Sequence, residues 1–251
     1  MALSLRPNLA PARLASAIHL LNVARAARRG RRNVWPPMSI SRLSAAEIKA
    51  GRRLFAAEWR FVAAATAVSA LPAMRGTEVA FAGRSNVGKS SLINALTGQN
   101  ALARTARAPG RTQELIFFSA GGPLMLVDMP GYGFAQAPKA KVAAWTRLIH
   151  DYLRGRTNLA RVYVLLDARH GLKPADDAVL ATLDQAAVSY AIVLTKADQV
   201  KADEQAARVS AVERAISRRP AAYPQVLATS ARSGAGIAEM RAALARLMRE
   251  R

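Results

Sequence analysis

Gly83-Arg84-Ser85-Asn86-Val87-Gly88-Lys89-Ser90 is a complete G-x-x-x-x-G-K-S phosphate-binding loop. An apolar run at 79–82 precedes it, and a helix-like segment at 91–96 follows. That strand–loop–helix order gives the pattern a physical meaning. Glycines let the backbone curl until successive N–H groups and a helix N-terminus face anionic phosphates. Lys89 is expected to reach the β- and γ-phosphates, and the Ser90 hydroxyl to ligate Mg²⁺. A bland Gly/Ser-rich turn needs no Lys-Ser ending at this spacing. The chain is expected to handle a nucleoside triphosphate.

Outward from the loop, apolar strands alternate with helical periods. A basic, irregular stretch at 100–113 leads to two short runs, 115–119 and 124–127, joined by Ala120-Gly121-Gly122-Pro123 as a hairpin. Residues 139–154 carry Val142, Trp145, Leu148, Ile149 and Tyr152 at three- and four-residue steps, a helix. Strands follow at 162–166, 190–194 and 226–228, alternating with helices at 176–187, 202–217 and 237–248. Buried strands separated by helices of this length make βαβ units. The expected fold is α/β: a mixed, mainly parallel six-stranded sheet with helices on both faces. Residues 78–251 form one domain, 38–77 an N-terminal extension with a lead-in strand, and 1–37 a basic leader.

Ligands of such sheets sit at the C-terminal strand ends, where the polar motifs fall. Asp128-Met129-Pro130-Gly131 closes one strand; its carboxylate can hold Mg²⁺ through water while the Gly131 N–H meets a γ-phosphate. Thr195-Lys196-Ala197-Asp198 closes another. There the Asp198 carboxylate can accept both N1–H and N2–H₂ of guanine, a donor pair that adenine lacks. The Lys196 stem can cover the base. Backbone N–H groups of Thr229-Ser230-Ala231 could meet guanine O6, the weakest of these signals.

The ordered set 83–90, Thr112, 128–131, 195–198 and 229–231 resembles the five motifs of a translation-factor-class P-loop GTPase. More narrowly, Gly-Arg-Ser-Asn-Val-Gly-Lys-Ser-Ser-Leu-Ile-Asn at 83–94, Pro-Gly-Arg-Thr-Gln at 109–113 and Asp-Met-Pro-Gly-Tyr-Gly at 128–133 resemble the bacterial EngB (YihA/YsxC) family. Asp167-Ala168-Arg169-His170-Gly171-Leu172 fits that family's strand-to-loop segment. The resemblance spans roughly residues 55–250. It implies a Mg²⁺-dependent GTP-binding protein that assists assembly of the large ribosomal subunit and supports cell division and septation. By motif position Thr112 is the mobile-loop Mg²⁺ ligand, with Gly110, Arg111, Gln113 and Glu114 closing over the nucleotide. Thr195 stands where many GTPases carry Asn, although the resembled family also uses Thr.

Ras-like enzymes place a water-orienting Gln where this chain has Tyr132, and a phenol substitutes poorly. Slow intrinsic hydrolysis is expected, carried by Lys89, Thr112, Gly131 and Asn86. Related GTPases use Asn at position 86 to help hold K⁺; a merely loop-stabilising Asn86 is weighed equally. Two other classes remain open: a P-loop ATPase, which Asp198 opposes, and a nucleotide-gated RNA- or ribosome-binding protein with negligible turnover.

The 251 residues contain no cysteine, which excludes disulfides and thiolate metal sites and agrees with a reducing cytoplasm. A formal charge of +21 favours a polyanionic partner, nucleic acid or an anionic membrane face, with Arg- and Ala-rich coding bias as the competing account. Seven arginines and no acid fall in 1–37. That leader reads as a disordered basic tail or, if translation starts at Met38, as untranslated; an organelle transit peptide is the less favoured reading. The apolar-looking run 61–74 is interrupted by Ser69 and Pro72 and is too short to span a bilayer. A cytoplasmic monomer is expected. Asp176-Asp177 reads as a helix cap. Arg104, Arg107 and Arg111 could couple nucleotide state to rRNA contact, while Arg241, Arg246 and Arg249 fit RNA contact or a solvated face equally.

Overall fold

In the computed structural model the described residues are 43–105, 114–132 and 139–250. The expectations for the leader 1–37, for Arg107 and for Gly110, Arg111, Thr112 and Gln113 lie outside them.

Five strands run parallel: β2 (Thr77–Gly83), β4 (Leu124–Asp128), β5 (Leu159–Asp167), β6 (Tyr190–Thr195) and β7 (Ala222–Ala228). β3 (Leu115–Ser119) returns antiparallel to β4 as the expected hairpin, pairing Ile116 with Asp128 and Ser119 with Met125. β1 (Arg60–Ala65) adds antiparallel to β3, so the order is β1-β3-β4-β2-β5-β6-β7. Among the described residues the sheet therefore has seven strands where six were expected. The seventh is the lead-in strand itself, taken into the sheet at its edge. Central strands such as Val162–Leu166 in β5 are buried on both faces and made of Val, Leu and Tyr, as parallel strands between helices must be.

Among the described residues, six longer helices flank the sheet: α1 (Ala45–Leu54), α2 (Lys89–Thr97), α3 (Lys139–Gly155), α4 (Pro174–Gln185), α5 (Ala202–Ile216) and α6 (Ile237–Arg249). Leu148 and Tyr152 of α3, Leu180 and Leu183 of α4, and Val212 and Ile216 of α5 fill one core. Leu92, Ile93 and Leu96 of α2, Met240 and Leu244 of α6, and Phe55 just beyond α1 fill the other.

α1 was not foreseen, although Ser44-Ala45-Ala46-Glu47 carries its start signal. The Ser44 hydroxyl accepts from the Glu47 N–H at 3.2 Å, and the Ser44 N–H donates to Glu47 Oε2 at 2.8 Å, a reciprocal capping box. The helix lies on α6 at Gly51, where any Cβ would stand 2.6 Å from the Ala242 nitrogen. At the opposite end of the sheet from the phosphate loop, fully buried Glu78 is paired with Arg156 and accepts the Tyr152 hydroxyl at 3.1 Å. A buried carboxylate is tolerable because charge and hydrogen bonds both meet it.

Candidate nucleotide site

β2 delivers the chain into the phosphate loop at the C-terminal sheet edge. Gly83 is glycine for steric reasons, because a Cβ there would lie 2.8 Å from Val87 Cγ1. Gly88 is glycine for conformational ones: its φ is 102°, in the left-handed region. Asn86 also turns left-handed, at φ 63°, which asparagine tolerates better than most residues. Val87 N–H closes the turn on Arg84 O at 3.1 Å, and α2 begins directly at Lys89.

Lys89 is buried and paired with Asp128, which is fully buried at the end of β4. The two motifs thus meet as the sequence requires. β4 does not stop cleanly there. Met129 N–H donates to Phe81 O at 2.9 Å, Tyr132 N–H to Gly83 O at 3.2 Å, and Ser85 N–H to Tyr132 O at 3.2 Å. The 128–132 turn is stitched along the phosphate loop, with Pro130 and Gly131 between the stitches. A Cβ on Gly131 would come 3.0 Å from Ser85 Oγ.

The Tyr132 phenol turns elsewhere. Its hydroxyl donates to Asp176 Oδ1 at 2.9 Å, and the other Asp176 oxygen accepts the Lys173 N–H at 2.9 Å at the start of α4. Asp176 is the helix cap expected of it, and a second partner uses it too. Burial, and then the Asp176 carboxylate, push the phenol far above its ordinary pKa.

Thr195 is held against the phosphate loop. Its hydroxyl lies 2.6 Å from Val87 O and 3.1 Å from Leu166 O, tying the end of β6 to the phosphate loop. Lys196 adopts φ 57°, and its ammonium donates to Asn86 O at 2.9 Å and to Asp167 Oδ2 at 2.9 Å. Asp167 also accepts Arg169 Nη2 at 2.6 Å. Hydrogen bonds from Arg169, then Lys196, hold the Asp167 carboxyl well below the usual carboxylate range. Asp167 was noted in the sequence only through family resemblance. Its place at a strand end is visible in the sequence, but only the fold brings it against Lys196.

Ala197 N–H donates to Thr229 O at 3.1 Å, so the loop after β6 and the loop after β7 are bonded to each other. The expectation for 229–231 is narrowed here. Thr229 N–H is engaged by Leu194 O at 2.7 Å and Ser230 N–H by Ala235 O at 2.9 Å, closing the loop on itself. Ala231 lies beside them on the wall of a cleft of about 600 Å³, together with Ser90, Lys196, Asp198 and Arg232. Arg232 had not been singled out. Glu114, half-buried just before β3, is not among the residues lining this cleft. No group of three or more His, Cys, Asp or Glu side chains able to hold a metal occurs among the described residues.

A phosphate loop, a carboxylate against its lysine and a carboxylate in a base-sized cleft, on a mainly parallel sheet, define a P-loop GTPase. Comparison with known proteins agrees: residues 78–196 match the family described as 50S ribosome-binding GTPase. The chain is 65% identical over 206 residues to the probable GTP-binding protein EngB of Bradyrhizobium diazoefficiens, covering 81% of this chain and 95% of that protein. Against the namesake protein of Afipia carboxidovorans it is 63% identical, over 81% and 96% of the two chains. A crystal structure of a probable GTP-binding protein EngB superposes with a TM-score of 0.55 at 24% identity, over 70% of this chain and all of that one. The elongation factor SelB of Methanococcus maripaludis, bound to the GTP analogue GppNHp, superposes at 0.51 and 15% identity, over 71% and 35%. The chain belongs to the EngB family of GTP-binding proteins, and it is a GTPase.

Proposed function

We propose that this GTPase is a slow, Mg²⁺-dependent switch that acts on the large ribosomal subunit during its assembly and thereby supports cell division and septation. It works as a cytoplasmic monomer. The observation that carries the reading is the convergence of Lys89, Asp128, Thr195, Lys196 and Asp198 on one sheet edge. The family's description as ribosome-binding and the charge of +21 support the partner. No helix among the described residues is long and apolar enough to cross a membrane.

In this reading Asp198 accepts the two guanine donors, Lys196 covers the base, and the Ala231 N–H faces O6. The N–H groups from Gly83 through Ser90 cradle the phosphates, Met129 and Pro130 shape the turn, and Gly131 N–H meets the γ-phosphate. Lys89 offsets the charge that develops on the β–γ bridging oxygen as water attacks phosphorus and GDP departs. Ser90 and Asp128 offer the hard oxygen donors that suit Mg²⁺ shared with phosphates; Asp128, already paired with Lys89, would hold the metal through water. When bound, the metal neutralises phosphate charge. Thr112 is the further ligand by motif position, within the closing segment 110–114.

Hydrolysis is slow because the Tyr132 phenol is held by Asp176 and does not orient the attacking water. Help is expected from the ribosome, and from K⁺ if Asn86 takes part. Co-sedimentation with large ribosomal subunits in GTP, GDP and no nucleotide tests the switch: binding must depend on the nucleotide. GTP turnover compared in K⁺ and Na⁺ tests Asn86, and equal rates remove K⁺ from the scheme.

A further inference from the structure

The basic residues of α6 make contacts within the fold. Arg241 donates to Leu96 O at 2.8 Å and Ala95 O at 3.1 Å, at the end of α2. Arg246 and Arg249 lie 3.6 and 3.5 Å from Glu47, the one acid of α1. Glu47 is thus turned toward α6, and Gly51 brings the two helices together. What α1 leaves outward is Lys49, Arg52 and Arg53, all exposed. Positions i, i+3 and i+4 share one face of a helix. No ion pair or side-chain hydrogen bond of these three occurs among the described residues.

Phe61 adds a different chemistry. It is 49% exposed, unusual for so large an apolar ring. It pairs across the sheet with Phe118, whose ring belongs to the core that α1, α2 and α6 cover, so both residues lie on the α1 side of the sheet. Its neighbour Arg60 is instead paired with Glu58 at 2.8 Å.

We propose that the outward face of α1, with Phe61, is a docking surface for single-stranded RNA: Lys49, Arg52 and Arg53 meet phosphates and Phe61 stacks on an unpaired base. The proposal deepens the ribosomal reading and rests on it for the biological source of the RNA. Complementing a helix C-terminus accounts for Arg52 and Arg53 in the last turn. It accounts neither for Lys49 a turn earlier nor for an exposed aromatic. Cations and an exposed ring on the same side of the sheet suit unstacked nucleotides, whose bases stack while their phosphates pair. An acidic protein surface would have no use for the ring's face.

The test uses the full chain and a fluorescein-labelled oligoadenylate, read by anisotropy across a KCl series. Replacing Lys49, Arg52 and Arg53 together by alanine should weaken binding at least tenfold and flatten the salt slope by about 2, at roughly 0.7 for each phosphate no longer neutralised. Phe61→Ala should weaken binding by roughly 5- to 150-fold with the slope unchanged. GTP hydrolysis and thermal melting of both variants should match the parent. Arg214→Ala with Arg218→Ala, on and just beyond α5, is the control and should change little. An unchanged slope in the triple variant overturns the surface, as does a loss confined to a polyglutamate competitor, which would mark an acidic protein instead. Failure of the parent to sediment with ribosomal subunits overturns the ribosomal reading alone, because the oligoadenylate series still decides the surface.

Discussion

Asp198→Ala removes the carboxylate assigned to guanine and leaves the rest of the cleft standing. Displacement of a fluorescent GDP analogue should show affinity reduced at least 100-fold, with the preference for GTP over ATP largely gone; sites that bond a polar group discriminate by about 10⁴ or more. Asp167 is subtler. It positions Lys196 and touches no part of the expected nucleotide, so Asp167→Ala should raise KM for GTP about tenfold while kcat stays within about twofold, the loss expected of a single charged hydrogen bond. Its carboxyl is held below the ordinary 3.8, so its stabilising contribution is present above that pH and fades as pH falls through the folded value. Asp167→Asn should therefore flatten the acid limb of a urea-denaturation stability profile below about pH 4. Tyr132→Phe takes the donor from a buried carboxylate and should cost about 1–3 kcal/mol in the same assay. At this scale the motif residues were legible because each sits at a strand end with a fixed chemical task. Asp167 and the bond from Tyr132 to Asp176 were not, since both depend on which strand ends and helix starts become neighbours in space.

Among the elements, the strands at β2, β5 and β6 could be read directly, because burial on both faces demands uninterrupted apolar runs. The first helix could not be read from periodicity, being ten residues long with Lys49, Arg52 and Arg53 crowding its outer side. Only the Ser44 and Glu47 pair announced it. β1 was seen but left out of the sheet, since Arg60, Phe61 and Val62 are exposed and lack the alternation of a half-buried strand. The α1–α6 contact yields an element-level prediction. Gly51→Leu drives a side chain into the backbone of Ala242 and should destabilise the protein by roughly 1–3 kcal/mol, the usual cost of overpacking. Thermal melting would show it, while GDP affinity, set at the other loops, should hold. A melt identical to the parent would mean that α1 rests on α6 more loosely than its geometry states.

For the whole molecule, the nucleotide loops are bonded to each other as well as to the sheet, so ligand binding and folding are one equilibrium. GDP at about 100 times its Kd should add about 2.7 kcal/mol of stability, read as a rise in melting temperature. Lys196→Ala should shrink that gain. The stitching of 128–132 along the phosphate loop has a further consequence, in the time domain. The amides of Ser85 and Tyr132 bond into the same short ladder beyond the end of β4, from opposite strands. Both bonds run through Tyr132, so moving that one residue away from the loop frees both amides. Their exchange should rise and fall together, whichever nucleotide is supplied, making two amides a clock for a single opening event at the phosphate loop.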